Sequence, residues 1–168
     1  DHVLNLAYNA SCGARCLDDL ELRRQDEGYL DALGARRVPD PTTAGDFCRR
    51  FAAADIRTLQ GVFHDVRKKV WAQQPAEFFQ QAMVDMDGVG VETGGECKQG
   101  IGLSYNKKWG YHPLVVSLAN TGEVLSLFNR SGNRPSHEGA ADEVDRLLPV
   151  LFDGGFERVL LRGDTDFS

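Results

Sequence analysis

Hydrophobic positions change their spacing part-way along the chain: between about residues 26 and 75 they recur at helical intervals, and beyond that they fall into short alternating or continuous runs. Val3, Leu4, Leu6, Ala7, Leu17, Leu20 and Leu22 are spaced irregularly around Gly13, which predicts two short helices joined near Ser11-Cys12-Gly13. From Asp26 to Leu33, Tyr29, Leu30 and Leu33 share one helical face, and Gly34 supplies a left-handed stop. Val38-Pro39-Asp40-Pro41 breaks the chain. Thr43 then reads as a helix cap with Asp46 three residues on, and Ala44, Phe47 and Phe51 as the buried stripe. Asp55 opens a further helix in which Ile56, Leu59, Phe63, Val66 and Val70 are expected to be buried. Arg57, Arg67, Lys68 and Lys69 are left for its outer surface, read as a solvated face in preference to a DNA-contacting one. Pro75 ends this helical half.

After Pro75 the period shortens. Gln81 to Thr93 begins as a buried strand whose period of two puts Asp85 and Asp87 on one face and Met86 on the other. Thr93 to Gly100 is a glycine-rich loop that either approaches a ligand or simply turns the chain. Tyr111–Ala119 and Val124–Asn129 read as strands joined by the hairpin turn Asn120-Thr121-Gly122-Glu123. Ser136 is expected to cap a helix with Ala141, Val144, Leu147, Leu148 and Leu151 on one side, kinked or shortened by Pro149. Gly154-Gly155 closes that helix, and Arg158 to Arg162 forms the last strand. A helix between strands favours a parallel, right-handed crossover into the same sheet. The fold expected is α/β: a helical N-terminal region over residues 1–75, then over 76–168 an incomplete ribonuclease H-like core of strand, hairpin, helix and parallel strand.

Two acids stand where two of these strands end. Carboxylates on a core strand are costly unless water, a cation or a metal is close. Singly, Asp87 reads as a turn residue before Gly88, and Asp164 as a cap for which no following helix is expected. As a matched pair on two apolar strands they read as catalytic metal ligands. Phosphodiester chemistry uses two divalent ions, one at the attacking and one at the leaving oxygen, and magnesium prefers oxygen donors. Asp85 and Asp166 are read as outer-shell or solvated acids, Arg162 as offsetting the charge of Asp164, and His112 and His137 as structural.

Composition adjusts this reading in two places. With 25 acidic against 19 basic residues and a net charge of -6, the chain as a whole does not look like a protein coated in nucleic acid. Between Cys97 and Ser136, however, Lys98, Lys107, Lys108, Arg130 and Arg134 stand against Glu123, with Tyr105, Trp109 and Tyr111 among them. That stretch is a candidate DNA-binding patch, with a solvated hairpin rim as the alternative. Four scattered cysteines, Cys12, Cys16, Cys48 and Cys97, fit reduced thiols in a cytoplasmic protein. Cys12 and Cys16 lack the second pair a zinc site requires. No apolar run nears the roughly 20 residues of a membrane span. The chain starts at Asp1 and stops four residues after Asp164, so it reads as a piece of a longer protein.

Asp85-Met86-Asp87-Gly88, Tyr111-His112-Pro113-Leu114, Arg130-Ser131-Gly132-Asn133 and Leu161-Arg162-Gly163-Asp164, in that order, resemble the bacterial insertion-sequence transposases of the DDE type, and within them the group named for insertion sequence thirteen-eighty. Pro39-Asp40-Pro41-Thr42-Thr43 and Phe47-Cys48-Arg49-Arg50-Phe51 extend the likeness over the helical lead-in. The resemblance implies a homo-oligomeric, magnesium-dependent enzyme, with manganese as a substitute, that cuts transposon ends and joins 3′ hydroxyls to target DNA. Asp87 matches the first acid of the family triad and Asp164 the second. Val89 stands where the family has threonine, and Thr165-Asp166-Phe167 where it has Ser-Gly-Phe. The third acid, a glutamate, is expected beyond Ser168, so the isolated chain is expected to be inactive. A non-catalytic DNA-binding or pairing remnant, and a related nuclease without a joining step, remain alternatives.

Overall fold

The computed structural model describes residues 2–95 and 98–167, so Cys97 and its expected free thiol lie outside the described residues. The chain forms two compact units, Asp1–Leu59 and Gln60–Ser168.

The first unit is helical. It contains α1 (His2–Ser11), α2 (Leu20–Arg24), α3 (Glu27–Leu33), α4 (Pro41–Cys48) and the first turns of α5 (Ala53–Trp71). The Asp26 carboxylate caps α3 by accepting from the Tyr29 amide at 3.0 Å, and Gly34, at φ 61°, ends it in the left-handed conformation only glycine adopts without cost. The expected cap at Thr43 is displaced. Asp40 is the cap, accepting from the Thr43 amide at 2.9 Å and hydroxyl at 2.8 Å, and Pro41 sits at the first helical position, where its missing N–H has no role. The Val38–Pro41 break is therefore the start of α4. Leu20, Val38 and Ala44 are the buried apolar side chains, and Phe47 stacks on the His2 ring at 4.4 Å and meets Phe51 edge-on.

In the second unit β1 (Ala82–Gly88), β5 (Leu114–Leu118), β6 (Glu123–Phe128) and β7 (Val159–Arg162) form a mixed sheet in the order β6-β5-β1-β7. β1 is antiparallel to β5, β5 to β6, and β7 is parallel to β1 after the crossover through α6 (Ala140–Asp153). The hairpin at Gly122 (φ 73°) and the parallel return are as the pattern predicts. Asn120 in that hairpin bridges back to the start of β1, accepting from Met83 N–H at 2.8 Å and donating to the Gln81 carbonyl at 2.9 Å.

A second sheet was not foreseen. β2 (Val91–Glu92), β4 (Trp109–Tyr111) and β3 (Gly102–Leu103) pair antiparallel in the order β2-β4-β3. The run expected as one strand from Tyr111 to Ala119 breaks at Pro113, which has no N–H for a ladder. Residues before the break join the small sheet, and residues after it join the large one.

α6 also differs from expectation. It starts at Ala140, not at Ser136, and runs through Pro149 to Asp153; Pro149 lies on the exposed side. Its buried face is Ala140, Glu143, Leu147 and Leu151. Glu143 is tolerated there because Ser126 donates to it at 2.8 Å and Arg146 at 2.5 Å.

The largest reversal is α5. Ile56, Phe63, Val66 and Val70 are exposed, whereas Arg67 and Trp71 turn inward. The inward face meets the outer edge of β6, whose carbonyls accept from its polar side chains. Gln60 donates to the Leu127 carbonyl at 3.0 Å and Arg67 to the Val124 carbonyl at 2.5 Å. Arg67 also pairs with Glu123 at 2.7 Å and donates to His64 Nδ1, whose pKa is pushed down by burial and by the charges of Arg67 and Lys68. Trp71, 1% exposed, packs edge-on against Phe156 and donates its indole N–H to Glu123 at 2.7 Å. With Ala82, Val84, Leu114, Val116, Leu118, Leu125, Leu147 and Leu151 it makes the core of this unit.

Burial pushes the Glu123 carboxyl up, but hydrogen bonds from Arg67, Trp71 and Thr121 outweigh it, so Glu123 titrates below its usual range. A depressed carboxylate contributes stability above its unfolded pKa and loses it as pH falls through the folded one. Glu123→Gln is therefore expected to cost about 2 kcal/mol at pH 7. The gap to the parent should close as pH falls below the ordinary carboxylate range, measured by urea unfolding at a series of pH values.

Candidate active site and adjoining cleft

Parallel pairing brings the carboxyl ends of β1 and β7 to one end of the sheet. The register runs Ala82–Val159, Met83–Leu160, Val84–Leu161 and Asp85–Arg162. The same separation of 77 residues that joins Asp85 to Arg162 also separates Asp87 from Asp164, two positions past the last pair. Asp87 is exposed near the end of β1, and Asp164 is exposed just after β7.

Asp85 is not a spare acid. Arg162 grips it with two hydrogen bonds, Nε to Oδ1 at 2.6 Å and Nη2 to Oδ2 at 2.7 Å, and this bond holds the Asp85 carboxyl below its usual range. Arg162 thus offsets the charge of Asp85. The structure also corrects the view of Asp164 as a cap without a helix. A 3-10 turn, Thr165–Phe167, follows directly, and the Phe167 amide donates to the Asp164 carbonyl at 3.1 Å. Phe167 folds back over Gly163, where a Cβ would lie 2.8 Å from its ring, and packs on the core. No sequence pattern signals this anchor, which sets the backbone at Asp164. The side chain of Asp166 lies outside the described structure. Among the described residues no three metal-binding side chains cluster, and Cys12, Cys16 and Cys48 are free and exposed.

Next to Gly88 the small sheet and the 132–135 segment enclose a cleft of about 510 Å³. Its frame is built on glycines. A Cβ on Gly88 would lie 2.4 Å from the His112 ring, one on Gly110 2.1 Å from the Val91 carbonyl, and one on Gly132 2.5 Å from the Gly102 carbonyl. His112 Nδ1 bonds the Arg134 carbonyl at 3.1 Å, a structural role as expected.

The basic patch is partly dismantled. Arg130 is 6% exposed, and it donates to the carbonyls of His112, Pro135, Ser136 and Glu138 at 2.6–3.1 Å. It is an internal clamp on the loop before α6, and burial pushes its pKa down. Lys98, Lys107, Lys108 and Arg134 are exposed. Lys98 bonds the Thr93 hydroxyl, Lys108 pairs with Glu92 at 2.8 Å and Arg134 with Glu138 at 3.1 Å.

Residues 2–168 match the family model described as transposase DDE domain group 1. The chain belongs to that family. No curated protein and no solved structure matches it. A DDE transposase domain belongs to a lineage of enzymes that cut and join DNA, and here it is carried by a mixed α/β unit. No helix among its described residues is long and apolar enough to cross a membrane.

Removing the guanidinium that holds Asp85 should release it. In Arg162→Ala the Asp85 titration, followed by carboxyl NMR, is expected to move up toward the ordinary carboxylate range; an unmoved titration would mean that the pair does not form in solution.

Proposed function

We propose that Asp87 and Asp164 are two of the metal-ligating acids of a two-metal DNA transposase of the insertion sequence thirteen-eighty group, within the first four strands of a ribonuclease H-like core. The observation that carries this reading is the parallel pairing of β1 with β7, which sends both acid-bearing ends to the same end of the sheet. The strand order β6-β5-β1-β7 supports it, being the order expected of such a core from one strand, a hairpin and a crossover. Residues 76–168 are the catalytic part in this proposal, and residues 1–75 the helical lead-in.

The donor set fits magnesium. Two exposed carboxylates at adjacent strand ends offer hard oxygen ligands, while Asp85, tied to Arg162, is left to position them. Bound divalent ions would supply activation of the attacking oxygen and neutralisation of the leaving one. The chain's own part is geometric. The β1 ladder holds Asp87, the Gly163–Phe167 turn holds the Asp164 backbone, and Lys107, Lys108 and Arg134 provide cations for the phosphate backbone of DNA.

Within the 168 residues no glutamate follows Asp164. With one acid of three missing, metal affinity falls, and this chain alone is expected to perform no strand transfer. A manganese or calcium titration monitored by NMR should perturb Asp87 and Asp164 together, and Asp87→Asn or Asp164→Asn should weaken the metal at least tenfold. Magnesium-dependent cleavage of transposon-end DNA by the isolated chain, abolished by Asp87→Ala, would refute the inactivity while supporting the site.

A pairing or DNA-binding remnant is the second reading. It is favoured by the outer edge of β7, where Leu160 and Leu161 are exposed, an arrangement open to strand addition. It predicts salt-sensitive DNA binding that both aspartate variants leave unchanged.

A further inference from the structure

We infer that the cleft beside Gly88 is a subsite for a single unstacked nucleobase of the DNA substrate, sandwiched by Tyr105 and Trp109 and contacted on its edge by Asn106 and Asn133. The inference rests on the DNA-processing reading above and adds to it a place where one base leaves the helix.

Four observations converge. The first is exposed aromatic surface: Tyr105 is 89% exposed and Trp109 55%, and both line the cleft. Large rings left in water within a concave, polar-rimmed site mark a ligand surface, and a base presents the flat face that such rings stack on. The second is size. About 510 Å³ lies within the range of small-molecule sites, suited to one nucleotide and far too small for a duplex. The third is the polar lining: side-chain amides offer a donor and an acceptor side by side, the pairing that a base edge presents.

The fourth is rigidity and charge at the rim. The turn carrying Tyr105 and Asn106 is closed by Lys107 N–H to the Ser104 carbonyl and Ser104 N–H to the Lys108 carbonyl, both at 2.9 Å, with Lys107 held at φ 59°. Tyr111 is pinned by its hydroxyl, which donates to the Gln99 carbonyl at 2.8 Å. Lys108 and Arg134 line the cleft, and their ion pairs are exposed, so exchanging a carboxylate for a phosphate costs little. Gly88, which forms one wall, is the residue after Asp87. A base seated here therefore holds its own phosphate near the proposed catalytic acids.

The test uses the 168-residue chain without divalent metal and two probes of equal length, a single strand and a blunt duplex, each carrying 2-aminopurine at one position. In the single strand the aminopurine fluorescence is expected to be quenched on binding, and Trp109→Ala and Tyr105→Ala each to weaken that strand about tenfold. Trp109→Phe, which keeps a stacking ring, should bind within threefold of the parent, and duplex affinity should change less than twofold in every variant. Unchanged single-strand affinity in both alanine variants, or equal losses on both probes, would overturn the subsite. Because no metal and no bond cleavage enter the assay, such an outcome leaves the roles of Asp87 and Asp164 standing. Their failure in the metal titration would conversely leave a positive stacking result intact.

Discussion

Parallel pairing of β1 with β7 is the constraint on which the second unit depends. The two strands are separated by a hairpin, a second sheet and a helix, so their alignment carries a large loop-closure cost. Apolar burial meets most of it: Ala82 and Val84 on β1 lie in one core with Leu147 and Leu151 of α6. Register is a separate matter, since a slip of one residue would send every side chain to the other face. The bidentate Asp85–Arg162 pair acts at that point. It sits on the last paired position and joins the two strands by two hydrogen bonds that a shift of register would break. An exposed ion pair contributes little to stability, but a two-point one is specific. Its position next to the proposed acids suggests that register, more than affinity, is what it protects.

The other edge of the sheet poses the opposite problem. β6 has no strand beyond it among the described residues, and α5 covers its carbonyls with donors. The face of α5 that meets this edge carries the donors Gln60 and Arg67, and the apolar stripe is left on the exposed side. Glu123 ties the arrangement together by accepting from both Arg67 and Trp71.

These two edges show where sequence reading succeeds and where it stops. The core strands, the Gly122 hairpin and the crossover were legible because burial imposes period and glycine marks turns. The acids at the strand ends stand where the pattern put them, one near the end of β1 and one just after β7. The inward face of α5 was not, since Ile56, Phe63, Val66 and Val70 have the spacing of a core stripe and nothing local reveals which carbonyls the helix must meet. Arg130 misled in the same way: its charge suggested a surface patch, whereas it is buried and donates to the His112 carbonyl and to three carbonyls of the loop before α6. The second sheet escaped because β2 and β3 are two residues long each, too short for any period to show. Pro113 did mark its boundary.

Gly88 links the cleft to Asp87. Gly88 ends the strand that carries Asp87, and it leaves no space for a Cβ beside His112. His112 in turn is held by the Arg134 carbonyl, and its own carbonyl accepts from Arg130. The wall of the cleft and the end of β1 are thus consecutive parts of one rigid connection. A side chain at position 88 would push His112 away, disturb its bond to the Arg134 carbonyl, and strain the end of β1 next to Asp87. The wall that Gly88 gives the cleft is consequently fixed relative to Asp87 by covalent geometry and close packing, so an occupant held by Tyr105 and Trp109 meets a preorganised surface beside that acid.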